Sequence, residues 1–429
     1  MALIEQSKCR IELLNHRGLG IGKTSEIVEL PYTLEDELVE FERHRYRGKS
    51  EFIIKKIIKE SPHRQKAKCT YFGACGGCLL QHLDSKTYHN FKLNILKSSL
   101  LEKNINSNME PLVFIPFGSR RRISMEAIKK KDLVFLGFYR FRSHKIINID
   151  SCPATLASLS ALIIPIKEIL RKILANKQKA QIFLNQASNG IHLIIDIKNQ
   201  FFISDNTRQD IEQFCYNYNI IQLIIGADNF ARVIVYETMR PYIVIDKVAV
   251  QTEADSFSQA SSLSDAILKK LVLELLFGIN NKIINKNIQV ADLFCGRGTL
   301  TIPLSKYFTT TGFELDDNSI KALEKANIDN DLSIKINKLN LFDFPLPVHS
   351  LNHYQYVIIN PPRAGALLQC QNLAHSNVEK IIYISCNPSS FARDAEILLH
   401  GGYKLDKILP IDQFPFTIHL EVIGLFQRI

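Results

Sequence analysis

Ala291-Asp292-Leu293-Phe294-Cys295-Gly296-Arg297-Gly298-Thr299-Leu300 puts a glycine-rich turn directly after an apolar run and ahead of a helical pattern. Glycines at such a turn let a ligand approach the backbone closely. The third glycine of the dinucleotide pattern Gly-x-Gly-x-x-Gly is missing, which suits a ligand without a pyrophosphate. S-adenosylmethionine is such a ligand. Glu314 ends the next apolar segment, 22 residues after Asp292, at the distance where an acidic side chain accepts hydrogen bonds from ribose hydroxyls. The simpler alternative is an ordinary strand–helix turn with a surface glutamate.

Outward from this stretch, short β-branched segments alternate with helical ones. Strands are expected at Gln289–Phe294, Thr311–Glu314, Ile334–Asn337, Tyr356–Ile359 and Lys380–Ser385. Helices are expected at Leu263–Leu276, Leu300–Tyr307, Asn318–Asn330 and Ser390–Leu399. That alternation predicts a parallel sheet covered on both faces. Leu405–Ile411 and Ile418–Phe426 read as closing strands joined by a turn at Asp412–Thr417.

Ser385-Cys386-Asn387-Pro388 and Asn360-Pro361-Pro362-Arg363 each follow a strand at the carboxyl edge of this sheet, where α/β folds bind ligands. Glu421 falls inside the last apolar segment, where a carboxylate is costly without a partner or a task. A thiol, a methyl donor and a carboxylate base are what carbon methylation of a pyrimidine needs. Thiolate addition to C6 makes C5 nucleophilic, C5 takes the methyl group, and a base then removes the C5 proton so that the thiolate leaves. For Cys386 alone, a small buried hydrophobe is an equally good reading.

The other part of the 429-residue chain differs in charge. Residues 1–150 hold 27 Lys and Arg against 17 Asp and Glu, residues 151–250 hold 10 against 8, and residues 251–429 hold 16 against 18. The formal net charge of +10 therefore equals the excess of the first 150 residues, which marks them as a candidate surface for a polyanion. Trp is absent, so base stacking falls to Phe, Tyr and Arg. Residues 8–59 alternate as short segments (Cys9–Leu14, Ser25–Leu30, Glu37–Arg43, Ser50–Lys59) with turns at Arg17–Gly22 and Arg47-Gly48, the pattern of a small β-barrel. A helix is expected at Tyr88–Leu101. Residues 111–250 mix strands (Leu133–Tyr139, Ile191–Ile197, Gln222–Gly226, Arg232–Tyr236, Tyr242–Ile245) with an apolar helix around Leu156–Leu174. Arg120-Arg121-Arg122 and the run Tyr139, Arg140, Arg142 and His144 interleave cations with aromatic rings, as RNA-contacting surfaces do. No apolar run is long enough to span a bilayer and no secretory pattern opens the chain, so a cytoplasmic protein without membrane contact is expected.

Cys69-x5-Cys75-Gly76-Gly77-Cys78 is dense and flanked by glycine, and Ser151-Cys152-Pro153 supplies a further thiol. Without a secretion signal a disulfide framework is not expected, and thiolates in this number suit zinc or an iron–sulfur cluster. The spacing departs from paired Cys-x2-Cys zinc motifs and favours iron–sulfur.

Over nearly its whole length the sequence resembles the bacterial iron–sulfur RNA 5-methyluridine methyltransferases, especially the 23S ribosomal RNA type. The resemblance implies an α/β fold. A class I, Rossmann-like methyltransferase domain (251–429) would follow an OB-type TRAM barrel (1–60), an iron–sulfur loop and helix (61–102) and a mixed α+β central domain (103–250). It implies a [4Fe–4S] cluster on Cys69, Cys75, Cys78 and Cys152. In Phe257-Ser258-Gln259, Gln259 would contact the cofactor or the target base. Phe294, Gly296, Glu314 and Asn340 would line the S-adenosylmethionine pocket, with Asn340 at a position where the family often has Asp. Asn360, in place of the family's Asp, would contact the target base and the cofactor pocket. Cys386 matches the nucleophile and Glu421 the general base, while Arg393-Asp394 completes the pattern after the nucleophile. The barrel's usual Leu-Pro-Gly-Glu turn stands here as Leu34-Glu35-Asp36-Glu37. The implied reaction is S-adenosylmethionine-dependent methylation of uridine C5 in 23S ribosomal RNA, on a flipped or looped-out base, by a monomer. Two alternatives stay open: methylation of transfer RNA, and a catalytically weakened RNA-binding or ribosome-assembly factor, suggested by Asn360.

Overall fold

A computed structural model describes residues 3–46, 49–106, 108–199, 203–228, 230–256, 259–278 and 283–429. The chain divides into two compact units. The first comprises residues 1–97, 138–147 and 416–419, and the second residues 98–137, 148–415 and 420–429.

In the first unit, five antiparallel strands follow the spatial order Ile27–Pro31, Leu19–Lys23, Leu3–Leu14, Leu38–Tyr46 and Lys49–Lys59. The two outer strands also touch, so the sheet curls towards a barrel. Its inward positions (Cys9, Ile11, Val28, Leu30, Val39 and Phe41) form one apolar cluster. The stretch expected as a turn at Arg17–Gly22 contains the strand Leu19–Lys23. Gly20 and Gly22 sit so close to Thr33 Oγ1 and Cys9 Sγ that no Cβ would fit, so glycine here marks close packing inside a strand. The expected turn at Arg47-Gly48 lies outside the described residues.

The Leu34–Glu37 turn is held from within. Asp36 takes the left-handed conformation (φ 69°). Glu37 is buried, accepts from Leu34 N at 2.8 Å and forms a two-point ion pair with Arg64, at 2.5 and 2.9 Å. The cysteine loop and the helix Ser85–Leu101 share a second apolar cluster built on Leu34, Leu79, Leu80, Leu83, Tyr88 and Phe91.

Most of a seven-stranded sheet and the whole of an eight-stranded sheet belong to the second unit. The first is antiparallel except where Gly190–Ile197 and Ile220–Ala227 run parallel. The helix Asp205–Asn217 lies between those two strands in sequence, as parallel pairing requires. The apolar stretch Leu156–Leu174 is two helices, Ala157–Ser160 and Ile163–Ile173. The restart puts Pro165, which lacks an N–H, in a first turn where that donor is not needed.

The eight-stranded sheet has the order Lys335–Lys338, Thr309–Glu314, Gln289–Leu293, Tyr356–Ile359, Lys380–Ser385, Glu421–Arg428, Tyr403–Asp412 and Val113–Phe114. The first five strands are parallel and Glu421–Arg428 is antiparallel to its neighbours. Val290, Ile358, Ile382 and Ile423 are fully buried beside helix residues Leu268, Val272 and Leu304, which explains the unbroken apolar runs. Strand order reverses beside Gln289–Leu293, so the crevice for a ligand opens at the carboxyl ends of Gln289–Leu293 and Tyr356–Ile359. Among the described residues no helix is long and apolar enough to cross a membrane.

Candidate active site

The glycine turn leaves strand Gln289–Leu293 with Phe294 and Gly296 both in the left-handed region, at φ 61° and 54°. Space is open where a Gly296 Cβ would project. Gly296 N donates to Glu314 Oε2 at 2.9 Å, and Leu315 N and Asp316 N donate to Glu314 Oε1 at 2.7 and 2.9 Å. Glu314, expected to face ribose hydroxyls, thus also ties the end of its own strand to the glycine turn. It borders an open depression of 460 Å³ with Leu315, Asp316, Asp317 and Asn318. Asp292 lies beneath the turn. Burial, reinforced by the nearby Glu314 charge, pushes its carboxyl up to about 7, while Thr301 Oγ1 donates to it at 2.6 Å.

Phe294 packs against Phe342, with ring centroids 5.3 Å apart. Asn340 is engaged locally. Its Oδ1 accepts from Phe342 N at 3.1 Å and its Nδ2 donates to Asp343 at 2.6 Å, so its amide shapes its own turn. Phe257 and Ser258 lie outside the described residues. Gln259 is buried, and its carbonyl accepts from Arg121 Nε at 3.2 Å.

That contact corrects one expectation. Arg121 is buried and paired with Asp265 at 2.7 Å, so it braces the segment carrying Gln259 and offers no cation to a polyanion. Arg122 is half-buried and donates to the Ser256 carbonyl, and Arg120 lies over the Phe414 ring. Tyr139, Arg142 and His144, in the first unit, are exposed, with Tyr139 and His144 edge to face at 5.6 Å. Arg140, half-buried, starts the turn between them through its N–H to the Lys145 carbonyl at 2.9 Å.

Cys386 and Glu421 come from neighbouring antiparallel strands, Lys380–Ser385 and Glu421–Arg428, paired as Ser385 with Val422. Glu421 opens its strand, where the sequence pattern put it in the interior. The segment before it, Phe416–His419, packs in the first unit, which explains the apolar run at Ile418. Cys386 is half-buried. Burial raises its thiol pKa, the Glu421 charge raises it further, and Arg363 pulls it down. Glu421 is buried, and desolvation pushes its carboxyl up to about 7 against a hydrogen bond from Gln413 Nε2 at 2.5 Å. A base near neutrality is matched to proton abstraction at physiological pH.

The loop that presents Cys386 is fastened on three sides. Asn387 caps helix Pro388–His400 by accepting from Ser389 N at 3.2 Å, with Pro388 at the first helical position. Asn387 Nδ2 donates to the Arg363 carbonyl at 3.0 Å. Fully buried Asp394 accepts from Ala366 N at 2.7 Å, Tyr383 OH at 2.5 Å and Arg393 Nε at 2.8 Å. Gly365, at φ 78°, leaves no room for a Cβ against Asp394 and Arg393. Arg393-Asp394 therefore locks the Asn360–Gly365 loop to the Cys386 helix. Asn360 follows strand Tyr356–Ile359, is half-buried, and bonds through its backbone to the Leu293 carbonyl at 3.2 Å. Gln413 and Tyr383 were not expected from sequence. Gln413 lies within the expected Pro-containing turn Asp412–Thr417, and the available cue was its distance of eight residues from Glu421.

The four expected metal-binding cysteines are not joined in disulfides and are of intermediate exposure. Cys69, Cys75 and Cys78 belong to the first unit and Cys152 to the second. Burial raises the pKa of Cys75, the Gly77 N–H donated to its Sγ at 3.4 Å lowers it, and Cys69 adds to the rise. Among the described residues, however, no group of three or more Cys, His, Asp or Glu is gathered closely enough to hold a metal ion.

Residues 119–429 match the family model described as tRNA (uracil-5-)-methyltransferase. An uncharacterized RNA methyltransferase of Agrobacterium fabrum is 30% identical over 433 aligned residues, 97% of this chain and 98% of that one. The 23S rRNA (uracil(1939)-C(5))-methyltransferase RlmD of Haemophilus parainfluenzae is 29% identical, covering 97% of this chain and 95% of its own. Among solved structures, the Pyrococcus abyssi tRNA (uracil-54, C5)-methyltransferase in complex with S-adenosyl-L-homocysteine superposes with a TM-score of 0.72. It covers 98% of this chain and 100% of its own at 22% identity, a likeness of fold. With a matching family model over most of the chain and full-length relatives of the same kind, the protein belongs to the tRNA (uracil-5-)-methyltransferase family and is an RNA methyltransferase of the uracil-C5 type.

Proposed function

We propose that the protein methylates uridine C5 in 23S ribosomal RNA with S-adenosylmethionine as methyl donor. The observation that carries this is Cys386 beside the buried carboxyl of Glu421, both in the second unit with the glycine turn. Cys386 Sγ adds to C6 of the base and the electron pair moves through C5 towards O4. C5 attacks the methyl carbon of the sulfonium, and S-adenosylhomocysteine leaves. Glu421 takes the C5 proton, and the pair returns to re-form C5–C6 while the Cys386 thiolate departs. Asn360 offers the base edge a donor and an acceptor. Phe294, Gly296, Glu314, Asn340, Gln259 and Asn360 are the residues proposed for the cofactor and base pockets. Tyr139, Arg140, Arg142, His144, Arg120 and Arg122 are proposed for RNA. The ribosomal assignment is supported by the Haemophilus parainfluenzae relative and by the basic N-terminal third.

A [4Fe–4S] cluster on Cys69, Cys75, Cys78 and Cys152 rests on donor chemistry alone, and no step of methyl transfer needs it. Iron and acid-labile sulfide in anaerobically purified protein would support it; iron-free or zinc-loaded protein would overturn it.

The function is tested by incubating the protein with 5-fluorouridine-substituted 23S ribosomal RNA and S-adenosylmethionine. Fluorine blocks the last proton transfer, so a covalent protein–RNA complex is expected with the wild type and none with Cys386→Ala. Adduct formation with transfer RNA in place of ribosomal RNA would move the substrate assignment. The absence of any adduct would sink the mechanism.

A further inference from the structure

We propose that Gln413 is a positioning residue that holds the Glu421 carboxyl in both of its protonation states, before and after it receives the C5 proton. This rests on the reading of Glu421 as the base. Gln413 directly follows strand Tyr403–Asp412, and Ile411 of that strand pairs with Glu421. The two side chains therefore issue from adjacent strand ends. Gln413 Nε2 donates to Glu421 Oε2 at 2.5 Å. Both residues are sealed from water, at 5% and 3% exposure.

The chemistry of the pair follows from what each group can do. A carboxylate only accepts hydrogen bonds. Once it holds a proton it must also donate one, or lose a hydrogen bond in a dry site. A lysine in place of Gln413 would serve only the first state and a carboxylate only the second. A primary amide serves both, because a half-turn about its last side-chain torsion exchanges Nε2 for Oε1. Among the described residues Gln413 Oε1 is buried with no hydrogen-bond partner while Nε2 is engaged, so the acceptor needed by the protonated state is held in reserve.

The other groups near this pair act differently. Cys386 is the titratable group that couples to Glu421, and Arg363 acts on the thiol. Asp412, the neighbour of Gln413, is buried on the paired strand. Gln413 is the side chain that lowers the Glu421 pKa against its burial.

The test uses the full chain, a protein-free 23S ribosomal RNA transcript and S-adenosylmethionine in single-turnover experiments from pH 5.5 to 9. Two rates are read: adduct formation on 5-fluorouridine RNA, which does not need the base, and release of methylated product from ordinary RNA, which does. Gln413→Leu should leave adduct formation within about twofold of the wild type and slow product release about tenfold at pH 7, with the acidic limb displaced upward by about one unit. Gln413→Glu should displace the limb further, because a like charge disfavours ionisation of Glu421. An unmoved limb in both variants would overturn the proposal and leave the Glu421 reading standing. A wild type that forms adduct but shows no acidic limb in product release would overturn the Glu421 reading itself. Should Gln413→Leu fail to fold, as judged by thermal melting, Gln413→Glu alone decides through the same limb.

Discussion

Two regions of this molecule carry a conspicuous cysteine, and the fold treats them differently. Cys386 stands between a buried carboxyl, an arginine and a capped helix, on a loop fastened by Asp394 and Asn387. Cys69, Cys75 and Cys78 lie in a glycine-rich loop supported by an apolar cluster, yet among the described residues no metal-holding group is gathered around them. A thiol's chemistry is made by the groups brought against it. At Cys386 those groups come from distant stretches of sequence, Arg363 and Glu421, with Gln413 in turn bonded to Glu421.

The largest test of this contrast is functional. Replacing Cys386 by Ser should lower methyl transfer by about a thousandfold or more, because the covalent route is closed. Ser at Cys75 should change the rate of 5-fluorouridine adduct formation, per folded molecule, by less than about threefold. Equal losses in the two variants would erase the distinction between the regions.

The next test removes the fastening that the Cys386 loop has. Asp394→Ala leaves Ala366 N, Tyr383 OH and Arg393 without their buried acceptor. A loss of about 3–5 kcal/mol is expected, read from urea midpoints. Adduct formation should slow in the molecules that remain folded. A loss below about 1 kcal/mol would show that the loop is held otherwise.

A smaller effect separates the two regions by pH. Glu421 has a folded pKa of about 7 against an ordinary value of 4.5. Below pH 4.5 both the folded and unfolded chains hold the proton, so burial of the group costs least there. As pH rises from 4.5 to 7 the unfolded chain releases its proton first, and stability falls; above 7 the loss is complete. Glu421→Gln should therefore match the wild type at pH 4 and exceed it by about 3 kcal/mol at pH 8. Cys75→Ser should leave that pH dependence unchanged. A constant offset across pH would mean that Glu421 is charged throughout in the folded protein.

Much of the site was legible. The glycine turn at Gly296, the acidic strand end at Glu314 and the Asn360 and Cys386 loops after their strands all fall where their local patterns put them, because a parallel sheet sends every carboxyl edge the same way. The start of the last strand was misread, because Ile418 and Leu420 are apolar for different reasons: Ile418 packs in the first unit and Leu420 in the second. Leu19–Lys23 was missed because glycine, which usually breaks a strand, is used there for close packing. Arg121 reads in sequence as one of three equivalent cations. Only burial beside Asp265 singles it out as structural.

By itself, the sequence determined what depends on neighbours along the chain: strand and helix alternation, the glycine turn, the charge imbalance and the supply of thiols and carboxylates. Tertiary structure alone decided which of these groups meet. It buried Glu421 against Gln413, locked Asp394 between the loops that carry Asn360 and Cys386, and turned Arg121 inward. The physical reason is that burial and charge pairing are set by residues distant in sequence. Reactivity follows from them, because desolvation and neighbouring charge decide which protonation state a side chain holds.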